Sequence, residues 1–187
     1  MPSTAAPFGL RPVYHPSGTI RNEAGTILTG YATGILQYRP VFIGTDGSLQ
    51  AATAGIRFCG TFLGVEYTDT NGRRQYVNQW TASTTATDIV AYYTRDQNIV
   101  YEIQSVGSVA LADVGNQADF SAASAGSTTT GLSTCSLSGT MTSTGSAGLR
   151  ILGFGREVDN AAGDAFTNVL VQISEHQDVA DQVAYGG

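Results

Sequence analysis

The sequence predicts an all-β fold, either a small β-barrel or a β-sandwich, from three patterns. Residues 149–173, LRILGFGREVDNAAGDAFTNVLVQI, carry apolar side chains at two-residue spacing on both sides of a polar turn, which is typical of a hairpin half buried against a core. Residues 99–104 alternate in the same way. Between residues 25 and 65, glycine recurs every few positions among short apolar runs, as it does where strands bend sharply in a small barrel.

The other strands can be placed in chain order. Short strand candidates fill residues 26–65, and the pair Asp46-Gly47 between two of them indicates a hairpin, because glycine tolerates the positive φ that the turn requires. A second turn is expected at Asn71-Gly72. Residues 89–106, IVAYYTRDQNIVYEIQSV, supply two further strands around Arg95-Asp96.

Residues 1–24 are expected to form an extended N-terminal arm on a main β domain of residues 25–176. Four of the chain's prolines fall in the arm, where they block ladder hydrogen bonds and favour extended backbone. Its apolar residues follow no period that would bury them locally, which favours an arm lying across a neighbouring subunit. The alternative is an arm that wraps its own domain. Residues 177–187 are expected to be a C-terminal tail with a helical turn or two around Val179 and Val183.

A low-complexity tract occupies residues 121–148 and contains no charged residue. It is expected to be a Ser/Thr/Gly-rich β-hairpin insertion that projects from the core on flexible Gly/Ser joints. Cys135 within it is expected to be a loop thiol, whereas Cys59 is expected to be a small buried hydrophobic residue. The segment 111–120 between core and insertion is expected to be a loop or a short helical turn.

The charge content argues against nucleic-acid partners, and the distribution of apolar residues argues against a membrane. Charged residues make up 13% of the 187 residues, against roughly 25% in typical soluble domains. All nine cations are arginine, the net charge is −6, and the only adjacent cations are Arg73 and Arg74, so nucleic-acid binding is disfavoured because it requires clustered cations. No apolar run approaches 18 residues and the N-terminus has no signal-peptide pattern, so no membrane association is expected.

The sequence contains no recognisable catalytic, cofactor or metal motif. His15 and His176 are the only histidines, and neither lies beside a cysteine or in a nucleophile-elbow context. The chain contains no lysine, which a P-loop requires, and residues 111–120 lack the acidic spacing of a calcium loop. We therefore expect a protein that is not an enzyme and that has no catalytic, cofactor-binding or metal-binding residues.

Four stretches resemble the head decoration, or cement, proteins of tailed bacteriophages. They are APFGLRPVYHPSG, GILQYRPVFIGTDGSLQ, GTFLGVEYTDTNGRRQYVNQW and the closing LRILGF with NVLVQI. The resemblance implies a non-enzymatic virion structural protein on the outer surface of the phage capsid. It also implies that the protein binds and stabilises the major capsid protein lattice, and that it clusters with itself as trimers or dimers.

Two groups of residues are predicted to contact the capsid or a neighbouring subunit. The first consists of the apolar and cationic residues of the arm, namely Phe8, Leu10, Arg11 and Tyr14. The second lies in the segment 67–88, where arginine and aromatic residues cluster as they do at the centres of interfaces: Arg73, Arg74 and Trp80. For Trp80 the alternative is a side chain that fills the end of the core.

Two other functions remain open from the sequence. A carbohydrate- or receptor-binding module of a phage tail or cell surface would expose aromatic side chains in a groove, with Trp80 and Tyr92 or Tyr93 as the stacking residues. An enzyme with an unrecognised site would bring His176 together with carboxylates in a pocket.

Overall fold

The computed structural model describes residues 4–143 and 147–179, and it confirms the all-β prediction. The only helical element in these residues is a 3-10 turn at Leu111–Asp113, within the segment expected to be a loop or short turn. The strands are β1 (Arg11–Tyr14), β2 (Glu23–Gly25), β3 (Ile35–Leu36), β4 (Pro40–Ile43), β5 (Leu49–Ala51), β6 (Gly60–Thr68), β7 (Arg74–Val77), β8 (Gln79–Trp80), β9 (Thr87–Tyr93), β10 (Val100–Gln104), β11 (Gln117–Ala118), β12 (Phe120–Ser121), β13 (Gly126–Ser127), β14 (Leu132–Ser133), β15 (Ser136–Leu137), β16 (Leu149–Phe154) and β17 (Asn168–Ile173).

The first sheet has five strands in the order β1-β10-β17-β16-β11, and its pairings are antiparallel. The predicted hairpin of residues 149–173 forms its centre, with Ile151 opposite Val171. Both of these side chains are buried, whereas Arg150 on the other face is exposed. The period of two therefore identifies the buried face correctly.

The second sheet has the order β2-β9-β6-β4-β5, with β7 paired to the outer half of β6. Both turns predicted in this region are present. Gly47 has φ +79° in the turn between β4 and β5, and Asn71-Gly72 joins β6 to β7. The two-stranded sheet of β3 and β8 brings Ile35 and Trp80 into the core of this second sheet.

The second sheet curls without closing. The amide of Leu49, at one end of the strand order, donates a 2.8 Å hydrogen bond to the carbonyl of Thr26, directly after the strand at the other end. No strand ladder joins the two ends among the described residues, so the barrel is not closed, and two antiparallel sheets with separate cores are consistent with a β-sandwich.

The chain crosses from one sheet to the other at Thr94, between β9 and β10. The two strands predicted around Arg95-Asp96 therefore belong to different sheets. The hydroxyl of Thr94 lies 2.9 Å from both the Thr61 amide, whose proton it accepts, and the buried Tyr101 hydroxyl. Gly60 allows this crossing, because a Cβ there would lie 1.9 Å from the Thr94 carbonyl oxygen.

The N-terminal segment lies on its own domain in this structure, as in the alternative left open by the sequence. Its strand β1 forms the edge of the first sheet beside β10. Leu10 is fully buried in the core of that sheet, and its amide donates to the carbonyl of Tyr38 at 2.8 Å. Gly9 has φ +82°, and a side chain there would collide with Tyr38, so the arm approaches the domain closely at this point.

The insertion forms the predicted hairpin, but the expectation that it projects from the core is wrong. It is built from the pairs β12–β15 and β13–β14, and its tip turns back over the second sheet. There Asn78 and Gln79 donate side-chain hydrogen bonds to the carbonyls of Thr130 and Thr128. Cys135 is fully buried rather than a loop thiol, whereas Cys59 is buried as predicted.

The segment after β17 ties the two sheets together. The side-chain amide of Gln177 both accepts from the Ile43 amide (2.8 Å) and donates to the Ile43 carbonyl (2.7 Å), while His176 forms a bridge with Phe58. The helical turn predicted around Val179 and Val183 falls largely outside the described residues.

Replacing Leu10 by alanine is expected to lower the free energy of unfolding by about 2–5 kcal/mol, because truncation leaves a cavity in the core. Urea unfolding of the full chain measures this. The control is Tyr14→Ala on the same strand, where the side chain is 55% exposed, and this change is expected to cost less than about 0.5 kcal/mol. Equally small effects of the two substitutions would contradict a docked arm.

Candidate interaction surface

The structure places the seven predicted contact residues in three environments. Leu10 and Trp80 are fully buried within the chain's own cores. Phe8 and Arg11 are half-buried on the arm. The exposed side chains are Tyr14, Arg73 and Arg74. These three are the members of the set whose residues are exposed.

Trp80 fills the core of the second sheet, as in the alternative left open for it. Its ring packs edge-on against Tyr67 with the ring centroids 5.6 Å apart. Tyr93 is only 3% exposed. Neither ring is therefore available as a stacking platform for a ligand.

Arg11 fixes the arm to the domain through two contacts. Its guanidinium forms an ion pair with Glu102 and lies 4.6 Å from the centroid of the Phe8 ring. Glu102 is only 5% exposed, and a buried carboxylate requires such a partner. In this conformation Arg11 acts as an anchor to its own chain.

A second carboxyl group meets Glu102 at the same point. A Cβ on Gly155 would lie 2.7 Å from the nearer Glu102 oxygen and 2.3 Å from a Glu157 oxygen, so both carboxyls converge beside this glycine. Burial and the hydrogen bond with Glu157 raise the pKa of Glu102, against the opposing effect of Arg11. The arm is thus anchored beside two interacting carboxyl groups.

A more exposed cluster lies on the outward face of the second sheet, and we call Glu66, Arg74, Tyr76 and Tyr92 the tyrosine surface. Glu66 on β6 lies opposite Tyr76 on β7, and Tyr92 on β9 lies opposite Gly64, two residues along β6. Side chains on paired residues and at two-residue spacing share one face of a sheet. Tyr76 is 73% exposed and Tyr92 is 36% exposed.

The Glu66 carboxylate holds this cluster together. The Tyr92 hydroxyl donates to it at 2.8 Å, and an Arg74 guanidinium nitrogen lies 3.3 Å away. These donors, led by Tyr92, lower the pKa of Glu66, and the carboxylate in turn raises the pKa of Tyr92. At neutral pH the Glu66 carboxylate is therefore ionised and the Tyr92 hydroxyl is protonated.

Arg74 completes the surface. Its guanidinium lies 6.0 Å from the centroid of the Tyr76 ring and donates to the carbonyl of Asp88 at 2.8 Å. These contacts restrict the rotamers of a long side chain before any ligand arrives. The cluster therefore offers aromatic area and guanidinium donors that are already ordered in the folded chain, so binding costs them little further conformational entropy.

The sequence identified part of this surface. Arg74 was predicted, and Tyr76 lies two residues further in the same aromatic and arginine segment, so alternation along β7 was the available signal. The sequence named Tyr92 only as a candidate stacking residue beside Trp80, and neither its position near Tyr76 nor the role of Glu66 could be predicted. Their positions depend on β6 lying between β7 and β9, which is a long-range pairing.

A cleft lies at the seam between the two sheets. It contains His176, around which the sequence analysis allowed for an unrecognised enzyme site. It has a volume of about 240 Å³ and is lined by Arg95, Asp96, Gln97, Asn98, His176 and Asp178. It does bring His176 beside carboxylates, but Asp178 is bound bidentately by Arg95 (2.7 and 3.0 Å). The His176 Nδ1 atom accepts from the Asp178 amide at 3.2 Å. The lining residues include no serine, threonine or cysteine.

The described residues offer little to a metal ion or an electrophile. Among them, no three His, Cys, Asp or Glu side chains are grouped so as to hold a metal. Burial raises the pKa of both the Cys59 and the Cys135 thiol to about 12, so both stay protonated and unreactive at neutral pH.

No family model, curated protein or solved structure matches the chain. In residues 4–143 and 147–179, no helix has the length and apolar character needed to span a membrane.

Substituting Glu157 by glutamine is expected to stabilise the protein near neutral pH and to have less effect near pH 4. A carboxyl whose pKa is raised by folding, such as Glu102, stabilises the fold below its ordinary pKa of 4.5. That stabilisation is lost as pH rises through the folded-state value. Glutamine can still hydrogen-bond to Glu102 without adding a like charge.

Thermal unfolding of the variant and of the wild type, from about pH 3.5 to about pH 8, covers the range in which carboxyl groups titrate. It measures the difference in stability between the two proteins. Comparing variant with wild type cancels the opposite pH dependence of Asp46, Glu66, Asp69, Asp96 and Asp178, whose pKa values are lowered. A difference that stays constant with pH would show that the two carboxyls do not interact.

Proposed function

We propose that this chain is a non-enzymatic structural protein of a phage virion that binds the outside of the assembled capsid and stabilises the major capsid protein lattice. The observation that carries the proposal is the tyrosine surface. The resemblance of the sequence to phage head decoration proteins supports the identity of the partner. On this proposal the protein resides on the outer capsid surface and needs no cofactor.

The composition and order of the tyrosine surface suit a protein partner. Tyrosine and arginine are enriched among residues that dominate binding energy at interfaces. Tyr76 is 73% exposed and lies beside the Arg74 guanidinium, while Arg74 and Tyr92 are held by Glu66, so these two side chains lose little entropy on docking. Glu66 and Arg74 offset each other's charge, which avoids burying an uncompensated ion under a partner.

Stabilisation of a capsid then follows from mass action. A protein that binds only the assembled lattice adds its binding free energy to the joined state and not to the separated subunits. Many weak sites on one particle add together, and several contacts per bound oligomer raise the avidity further.

The seam cleft supports a non-catalytic role in this proposal. Arg95 occupies both oxygens of Asp178, and Asp96 accepts from the backbone and side chain of Asn98. These carboxylates are engaged in holding the chain crossing and the segment after β17, which is a structural use of charged groups.

Tyr76→Ala is expected to weaken binding to phage heads that lack this protein by about 10- to 100-fold, which corresponds to roughly 1.4–2.7 kcal/mol for an interfacial hot spot. Co-sedimentation over a range of protein concentrations measures the affinity. The matched control is Leu111→Ala, since Leu111 is 72% exposed and Tyr76 is 73% exposed. Loss of binding in Tyr14→Ala alone would move the contact to the arm, and absence of binding by the wild type would overturn the proposal.

A carbohydrate- or receptor-binding module is the second candidate, and the two exposed tyrosine rings on one sheet face favour it. Of the predicted stacking residues, Tyr92 is exposed whereas Trp80 and Tyr93 are buried, and Tyr76 takes the place of Trp80. Binding of host-surface polysaccharide, measured by calorimetry, is expected on this reading to survive Tyr76→Phe and to be lost in Tyr76→Ala. Saccharide binding together with no binding to phage heads would select this candidate over the first.

A further inference from the structure

The domain contains a binding groove for an extended peptide, and the arm of the same chain fills it. The side-chain amide of Gln104 accepts from the Ala6 amide (2.7 Å) and donates to the Thr4 carbonyl (3.1 Å). Leu10 enters the core next to the Tyr38 carbonyl. We call Tyr38, Glu102, Gln104 and the pocket for Leu10 the arm groove.

The arm groove recognises its occupant specifically. It takes one buried leucine, one arginine for Glu102 and an extended backbone for the amide of Gln104. Without the arm, Glu102 would lose its cation and the core would lose Leu10, which is costly for a buried carboxylate and a packed core. Every groove therefore needs an arm.

The connection between the arm and the rest of the chain is more exposed than the arm itself. Of residues 16–22, all but Ile20 are exposed. Within the turn the contacts are local and polar: the Gly18 amide donates to the His15 carbonyl at 2.8 Å, and Ser17 hydrogen-bonds to the His15 ring at 2.6 Å. The connection also touches the domain, since the His15 ring lies 3.3 Å from Asp96 and Ile20 packs against the first core. Opening this turn breaks few contacts, and seven extended residues span roughly 23–25 Å.

We infer that residues 4–14 are an exchangeable element, and that the arm of one copy docks in the arm groove of a neighbouring copy. An exchanged arm makes the same contacts as an arm docked on its own chain, so exchange changes no contact energy at the groove. At low protein concentration the groove is occupied by the arm of its own chain, because the tether keeps that arm at a higher effective concentration than the arms of other copies. Copies held side by side raise the effective concentration of foreign arms until exchange competes.

The partner at this surface is therefore a second copy of the same chain. The edge strand β1 favours a closed exchange over open-ended strand addition, because Pro12 lacks an amide proton and weakens β1 as a template for a further strand. This inference does not depend on capsid binding, since it concerns only the chain's own arm and groove.

Mixing two single-cysteine variants tests the exchange. Tyr14 on β1 lies opposite Val100 on β10, and paired positions of antiparallel strands are close enough for a disulfide. Tyr14→Cys chains and Val100→Cys chains are unfolded, mixed, refolded together at high concentration and oxidised. A disulfide-linked heterodimer on a non-reducing gel is expected in large excess over the dimers formed by either variant alone.

The chains are kept reduced until refolding is complete, and the native thiols then do not interfere because both are buried and protonated in the folded protein. The matched control mixes Gln117→Cys with Arg150→Cys, a cross-strand pair in the same sheet that does not involve the arm, and no heterodimer is expected from it. Heterodimer at the level of this control, from chains that refold to the wild-type circular dichroism spectrum, would overturn the inference.

Shortening the connection provides a second test with an independent readout. Deleting residues 17–19 removes the turn that lets the arm fold back, while the arm and its groove stay intact. Sedimentation is expected to show a stable dimer or closed oligomer. A folded monomer with Leu10 still protected, seen as unchanged resistance to urea, would contradict the exchange.

Discussion

The buried hydrogen bonds at Thr94 hold the two halves of this protein together. Its backbone amide and its hydroxyl both bind Thr61 in the second sheet, and the hydroxyl also meets Tyr101 in the first. The two cores are otherwise built by different sets of side chains. A buried hydroxyl or amide without a hydrogen-bond partner costs free energy. The hydrogen bonds at Thr94 therefore fix where one sheet ends and the other begins.

The segment after β17 reinforces the same seam from the other end of the chain. Gln177 pairs with the backbone of Ile43, and Asp178 binds Arg95 at the crossing between the sheets. Polar groups that elsewhere could serve catalysis are used here to align two sheets. This gives a physical reason why the cleft beside His176 holds paired charges.

The arm and the tyrosine surface differ in how they can meet a partner. The arm supplies Leu10 to the core and Arg11 to Glu102, so its side chains are available to another subunit only if the arm leaves its own groove. Tyr76 and Arg74 are already exposed, and Arg74 is held by Glu66. In the two proposals these features have different partners: the tyrosine surface would dock on the capsid as a preformed face, and the arm would join two copies of the chain by exchange.

The sequence by itself determined the all-β class, the hairpin of residues 149–173, the turns at Asp46-Gly47 and Asn71-Gly72, and the existence of a hairpin insertion. These features follow from period-two alternation and turn chemistry, which act over a few residues. It also identified Arg74 as a candidate contact.

Tertiary structure alone decided that Leu10, Trp80 and Cys135 are buried, that the insertion packs back, and that Tyr92 joins Tyr76 around Glu66. Burial of an aromatic or aliphatic side chain, and the meeting of residues from three strands, depend on pairings between distant parts of the chain that local sequence patterns do not encode.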